Sequence, residues 1–90
     1  MRVARRLLIG GHVQGVGFRY FAHAVAVHEG VTGWVRNLPD GRVEAYVEGD
    51  TEAVTRVERA LRRGPPAACV EDVRVAQEPA TEAFTRFEVR

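Results

Sequence analysis

From Val31 to Glu48 two runs of alternating residues flank Leu38-Pro39-Asp40-Gly41, whose Pro, Asp and Gly mark a turn. The first run, Val31-Thr32-Gly33-Trp34-Val35-Arg36-Asn37, is β-branched and aromatic. In the second, Val43, Ala45 and Val47 point one way and Arg42, Glu44, Tyr46 and Glu48 the other. Together they predict an antiparallel hairpin with one apolar face, and a face of that kind must be covered.

The segments on either side can cover it. A helix is expected from about Phe18 to Glu29, where Phe18, Phe21, Ala22, Val25 and Ala26 form an i, i+3, i+4 stripe and Gly30 follows as a left-handed stop. The second helix has Asp50 as N-cap and Glu52 in its first turn. Val54, Val57 and Leu61 make its stripe, Arg62 and Arg63 suit its C-terminal dipole, and Gly64-Pro65-Pro66 ends it. Residues 2–10, 70–76 and 84–89 read as further strands, the last one short. The order is β-α-β-β-α-β with a short terminal strand. It predicts an α+β, ferredoxin-like sandwich: a mostly antiparallel sheet with two helices on one face. The other face, carrying Arg6, Arg42, Glu44 and Glu48, is expected to be solvated.

Ninety residues make one domain, residues 1–90, and bury only about 60–65% of the unfolded surface. A net charge of +1 argues against a nucleic-acid partner held by electrostatics. Every basic residue is Arg, so lysine chemistry is excluded. The single Cys69 can form no internal disulfide and is too little for a metal centre; it reads as a small buried filler. Met1 to Arg6 leads into only three strongly apolar residues, unlike a signal peptide, and no stretch approaches the ~20 apolar residues of a membrane span. A cytoplasmic monomer without membrane contact is expected.

Function is concentrated between the first strand and first helix, in Gly11-His12-Val13-Gln14-Gly15-Val16-Gly17-Phe18-Arg19. Backbone N–H groups uncrowded at Gly15 and Gly17 can converge on tetrahedral oxygens, and the helix N-terminus adds free donors and positive dipole. Arg19 contributes a planar fork that matches two phosphate oxygens. A tight turn with an exposed Arg is the plainer alternative.

The loop lacks the Gly-Lys-Ser/Thr of a Walker loop and the third glycine of a dinucleotide fingerprint, Tyr20 standing in its place. Five residues separate Val13 from Arg19, as in the Cys-x5-Arg cradle of tyrosine phosphatases, but Val13 is no nucleophile and no Ser or Thr is present. Water must therefore attack any phosphate held here, with no obvious acid to protonate a leaving group. A mixed carboxylic–phosphoric anhydride fits, because it releases a carboxylate whose conjugate acid has a pKa of about 4.3, the value of a Glu side chain. Such a reaction needs positioning, charge stabilisation and an oriented water. Asn37 shares strand parity with Val31 and Val35, toward the helices, and its amide can both accept from water and donate to substrate. Alternatively, Asn37 simply opens the following turn.

Ile9 to Arg19 resembles the first signature of the acylphosphatase family. Gly33-Trp34-Val35-Arg36-Asn37-Leu38-Pro39-Asp40-Gly41-Arg42-Val43, followed by Gly49, resembles the second. The resemblance covers essentially the whole chain. It implies hydrolysis of acyl phosphates to carboxylate and inorganic phosphate, without metal or cofactor. It also implies that the amides of Gly15, Val16, Gly17, Phe18 and Arg19, with the Arg19 guanidinium, bind the phosphoryl group while Asn37 orients the water. A small-molecule acyl phosphate is the expected partner, with phosphate or sulfate as competing anions. His12 and Leu38 depart from the residues many members carry, and neither touches the implied chemistry.

His23, one turn after Arg19, reads as a helix-surface residue within reach of the site, and His28 as compatible with the dipole at the helix end. Trp34 is expected to pack on the open sheet face or wall an acyl pocket, and Tyr46 to be its cross-strand neighbour. An RNA-binding sheet would need stacking aromatics free of acidic neighbours, and Glu44 and Glu48 flank these. A non-catalytic phosphate-binding domain keeps the same cradle but has no need of Asn37.

Overall fold

The computed structural model describes residues Met1–Arg90. The elements are β1 (Arg2–His12), α1 (Phe18–Glu29), β2 (Thr32–Asn37), β3 (Val43–Asp50), α2 (Thr51–Arg63), β4 (Cys69–Glu78) and β5 (Phe87–Val89). They form one five-stranded sheet in the order β4-β1-β3-β2-β5. β1–β3, β1–β4 and β2–β3 are antiparallel, and only β5 joins in parallel, along β2. α1 packs on β2 and β5, α2 on β1, β3 and β4, and the helices touch each other, so both cover one face. This is the expected ferredoxin-like arrangement. No helix is long and apolar enough to cross a membrane.

The core lies between that face and the helices. Leu7 and Ile9 of β1, Val35 of β2, and Val43, Ala45 and Val47 of β3 meet Ala22 and Ala26 of α1 and Val54, Val57 and Leu61 of α2, all at 1% exposure or less. Burying each Val or Leu side chain contributes about 1.5–3 kcal/mol before entropy is counted. Gly30 caps α1 in the left-handed region, as the sequence predicts. Asp50 does not cap α2: its side chain makes no capping bond and lies 3.6 Å from the N-terminal amine. The main-chain carbonyl of Met1 instead accepts from the Thr51 N–H and hydroxyl.

The second sheet face is solvated only in part: Arg6 is exposed and Arg42 half-exposed, but Glu44 and Glu48 are not. Glu44, Tyr46 and Glu48 are 6%, 8% and 0% exposed. The connection from β4 to β5 crosses Tyr46 and Glu48 as a strap, while Glu44 is paired with Arg6 and Arg36. Phe84 leaves the sheet to pack on Tyr46 at 5.4 Å between ring centroids, which is why β5 begins only at Phe87 rather than at Phe84. The strap is held by one carboxylate. Glu48 accepts from the Glu82 N–H (2.7 Å), the Thr81 N–H (3.3 Å), the Tyr46 hydroxyl (2.8 Å) and Arg2 Nε (3.0 Å). Alternation correctly separated the two faces of β3; it carried no information about a strap arriving from more than 30 residues away. Trp34 stacks on its register partner Tyr46 (6.3 Å, 14°), as a cross-strand pair does. Cys69 is exposed rather than buried, since it opens the edge strand β4.

The pairings bring the C-terminal ends of β1, β2 and β5 to the same end of the sandwich. Ile9 and Asn37 both sit opposite Val43, and Val35 sits beside Val89. The N-terminus of α1 opens there too, because only Val13–Gly17 separate it from β1.

Candidate active site

The loop leaving β1 is pinned at both ends by buried side chains, Val13 (1% exposed) and Phe18 (2%), while Gly15 and Gly17 between them are exposed. Both glycines adopt positive φ, 74° and 79°, and a Cβ at either would meet nothing within 4 Å. Their role is therefore conformational: the backbone turns in the left-handed region and the space in front stays open. Gly17 is also the N-cap of α1, and no side chain caps that helix. The first-turn amides thus keep the unpaired donors that every helix N-terminus carries.

These groups border a cavity of about 200 Å³ lined by Val13, Gly15, Gly17, Phe18, Arg19, Tyr20 and Asn37. Gly15, Gly17, Phe18, Arg19 and Asn37, five of the residues singled out from the sequence, therefore share one small space. Val16 does not line it, as its side chain packs against the core. His12 ends β1 opposite Cys69 and stands off the cavity wall.

Arg19 meets no acidic side chain. Its Nη1 donates to the main-chain oxygen of Arg90 (2.9 Å), which fixes the guanidinium while leaving the rest of its fork free. Arg90 is itself held, its N–H donating to the Val35 carbonyl (2.9 Å) and its guanidinium lying 5.1 Å from the Trp34 ring centroid.

Asn37 is half-buried at the end of β2, and its side chain makes no hydrogen bond within the chain. The β2–β3 turn is closed by hydrogen bonds from the Leu38 N–H to the Arg42 carbonyl (2.8 Å) and from the Gly41 N–H to the Leu38 carbonyl (3.2 Å), and by Asp40, whose Oδ1 accepts from the Arg42 N–H (3.0 Å). Arg42 also donates to that carboxylate through Nε (2.9 Å), and the contact holds the Asp40 carboxyl below the usual carboxylate range. The turn does not need the Asn37 amide, which is left facing the cavity.

Three contributors were not identified from the sequence. Gln14 Nε2 donates to the carbonyls of Leu38 (2.8 Å) and Arg42 (3.0 Å), bracing the loop against the turn that follows Asn37. The available signal was an uncharged double donor beside the inward-pointing Val13. Tyr20 walls the cavity from the first turn of α1. The Arg90 main-chain oxygen has no sequence signal, because any residue supplies one.

The acylphosphatase family model matches residues 5–89. A Gloeobacter violaceus acylphosphatase is 54% identical over 87 residues, covering 97% of this chain and 92% of that protein. The crystal structure of acylphosphatase from Bacillus subtilis superposes with a TM-score of 0.94 at 38% identity, covering 98% of each chain. A full-length HypF crystal structure contains a similar fold (TM-score 0.86, 25% identity) that covers all of this chain but only 12% of that one. The two motifs, the sheet order and these matches over nearly the whole length agree: this chain belongs to the acylphosphatase family.

Proposed function

We propose that the cavity holds the phosphoryl group of a small acyl phosphate and that water, oriented by Asn37, displaces the carboxylate. One observation carries this reading. An unengaged amide, an uncapped helix N-terminus and an arginine that meets no acidic side chain border the same 200 Å³ space. The loop amides and Arg19 neutralise the phosphoryl oxygens and the charge that grows on them during transfer. The Asn37 carbonyl oxygen accepts a hydrogen bond from water and so directs a lone pair at phosphorus. The new bond is water oxygen to phosphorus. The bond that breaks joins phosphorus to the acyl oxygen, which leaves with its electron pair as carboxylate, and the surplus proton goes to solvent.

No general acid is needed, because a carboxylate with a conjugate-acid pKa of about 4 leaves unprotonated near neutrality. The same site makes phosphate and sulfate competitors. The near-neutral charge provides no electrostatic attraction for nucleic acid or an anionic membrane surface. No three His, Cys, Asp or Glu side chains come together to hold a metal.

Acetyl phosphate incubated with the chelated protein tests the reading. Phosphate release well above the spontaneous rate, inhibited by inorganic phosphate, is expected. Phosphate binding without turnover would make the domain a phosphate sensor instead.

A further inference from the structure

Of the thirteen arginines, Arg19, Arg59 and Arg63 alone meet no acidic side chain; every other one sits in a salt bridge. Arg19 has its place in the phosphoryl cavity. Arg59 and Arg63 stand at i, i+4 spacing on α2, and both line a groove of about 480 Å³ between the two helices. Phe21, Ala24 and Val25 of α1 and Ala60 of α2 line it as well, and it shares no residue with the phosphoryl cavity. Its one acid, Glu29, is bridged to Arg56 at 2.7 Å, which leaves the two free guanidinium groups uncompensated. The apolar surface continues over α1. No Asp, Glu or Arg stands between Arg19 and Glu29, Ala24 is exposed, and Val27 is 59% exposed.

We propose that this groove docks an amphipathic helix of a partner protein, apolar on one face and acidic along one flank. The docking stands apart from the chemistry of the phosphoryl cavity. Two adjacent helices with an open apolar seam accept a third by packing ridges into grooves, and alanines at the seam let its backbone approach closely. Charge complementarity sets the sign and spacing of the partner. Acids at i, i+4 on the incoming helix repeat the separation of Arg59 and Arg63, about 6 Å along the axis. Its apolar face then turns to Ala24 and Val27 on the α1 side and its acidic flank to α2. A second copy of this chain fits less well. Along both helices its one unbridged acid is Glu52, about two turns before Arg59, and it would bring its own Arg59 and Arg63 to the same surface.

The probe is a synthetic helical peptide of about four turns, with Leu along one face and Glu pairs at i, i+4 on one flank, beside the same peptide carrying Lys for Glu. Binding to the full chain is followed by fluorescence anisotropy at low salt, while the methyl NMR signals of Ala24 and Ala60 report where the peptide lies. The Glu peptide is expected to bind saturably, to shift both methyls and to weaken as salt rises. The Lys peptide should bind at least about 10-fold more weakly. Arg59→Glu/Arg63→Glu should reverse that preference, an outcome that loss of folding cannot produce, and Arg59→Gln/Arg63→Gln should abolish it. Equal affinity of the wild-type protein for the two peptides, a preference that survives the reversal, shifts confined to residues outside the groove, or no saturation by about 1 mM each overturns the proposal. So does self-association in sedimentation that shifts the same methyls without peptide, which assigns the groove to a second copy.

Discussion

Gln14 and Leu38 are joined by a 2.8 Å hydrogen bond from the side-chain amide to the main-chain carbonyl, and the same amide reaches the Arg42 carbonyl at 3.0 Å. The loop that would hold phosphate and the turn that follows Asn37 are thereby fastened together. A static offset of about 1 Å between reacting groups can cost ~10²-fold in rate. Gln14→Ala is therefore expected to lower kcat by about 10- to 100-fold. Gln14→Glu should be worse, since a carboxylate cannot donate and would face two carbonyl oxygens. Steady-state kinetics of both variants, beside their melting temperatures, checks this; normal kcat in Gln14→Ala would show that the brace is dispensable.

Arg19 is expected to act in binding as well as in the transition state, because its fork faces the oxygens throughout. Arg19→Lys keeps the charge and loses the planar pair of donors. Its phosphate Ki should rise roughly 10-fold or more and kcat should fall by about 10²-fold. Phosphate should also raise the melting temperature of the wild-type protein by mass action, and do so less in the variant. Equal stabilisation of both would place the anion elsewhere.

Much of this was legible from local pattern. Helix stripes at Val54, Val57 and Leu61, and strand alternation at Val43, Ala45 and Val47, follow from geometry that repeats every few residues, and each of these side chains is buried. The loop from Gly15 to Arg19 was legible because glycine at positive φ before a helix has few other uses. What failed was set at long range. Nothing near Glu48 in sequence says that the N–H groups of Thr81 and Glu82 will arrive to bury it, and nothing near Arg19 points to a main-chain oxygen 71 residues on. Cys69 was misplaced for the same reason, since an edge position depends on which strands pair.

Glu48 gives the fold an acid-side sensitivity. Burial alone would raise its pKa, but the Glu82 N–H, the Tyr46 hydroxyl, the Thr81 N–H and Arg2 together outweigh burial and hold it below the ordinary Glu value. A carboxyl that protonates less readily folded than unfolded stabilises the fold fully above its unfolded value of about 4.3. That contribution is lost as pH falls from there through the folded value. Melting temperature should therefore be flat above about pH 6 with respect to this group and decline below about pH 5. Glu48→Gln should lower stability by about 2–3 kcal/mol at pH 7, the cost of losing charged hydrogen bonds in a buried place, and should flatten the acid limb. Melting curves from pH 3 to 8 on both proteins check it. A variant with the wild-type acid limb would show that another carboxyl is responsible.

Asn37→Ala separates a working residue from a turn residue. Its side chain hydrogen-bonds to nothing in the chain, and the turn is closed by backbone bonds and Asp40, so truncation removes no intramolecular hydrogen bond. The melting temperature should consequently stay within a few degrees of wild type. Phosphate inhibition should be little changed, because the loop amides and Arg19 remain. The loss should fall on kcat, by roughly 10²-fold or more, since a group that directs the attacking water matters chiefly in the transition state. KM should move little for the same reason. Asn37→Asp sharpens the comparison: it keeps the acceptor for water but sets a negative charge beside the phosphoryl oxygens, so phosphate inhibition as well as kcat should suffer. If Asn37 only shapes the turn, the pattern inverts, with lower melting temperature and near-normal kcat in the folded fraction. Measuring kcat, phosphate Ki and melting temperature on these two variants distinguishes the cases, and near-normal kcat in Asn37→Ala would remove the oriented water from the mechanism.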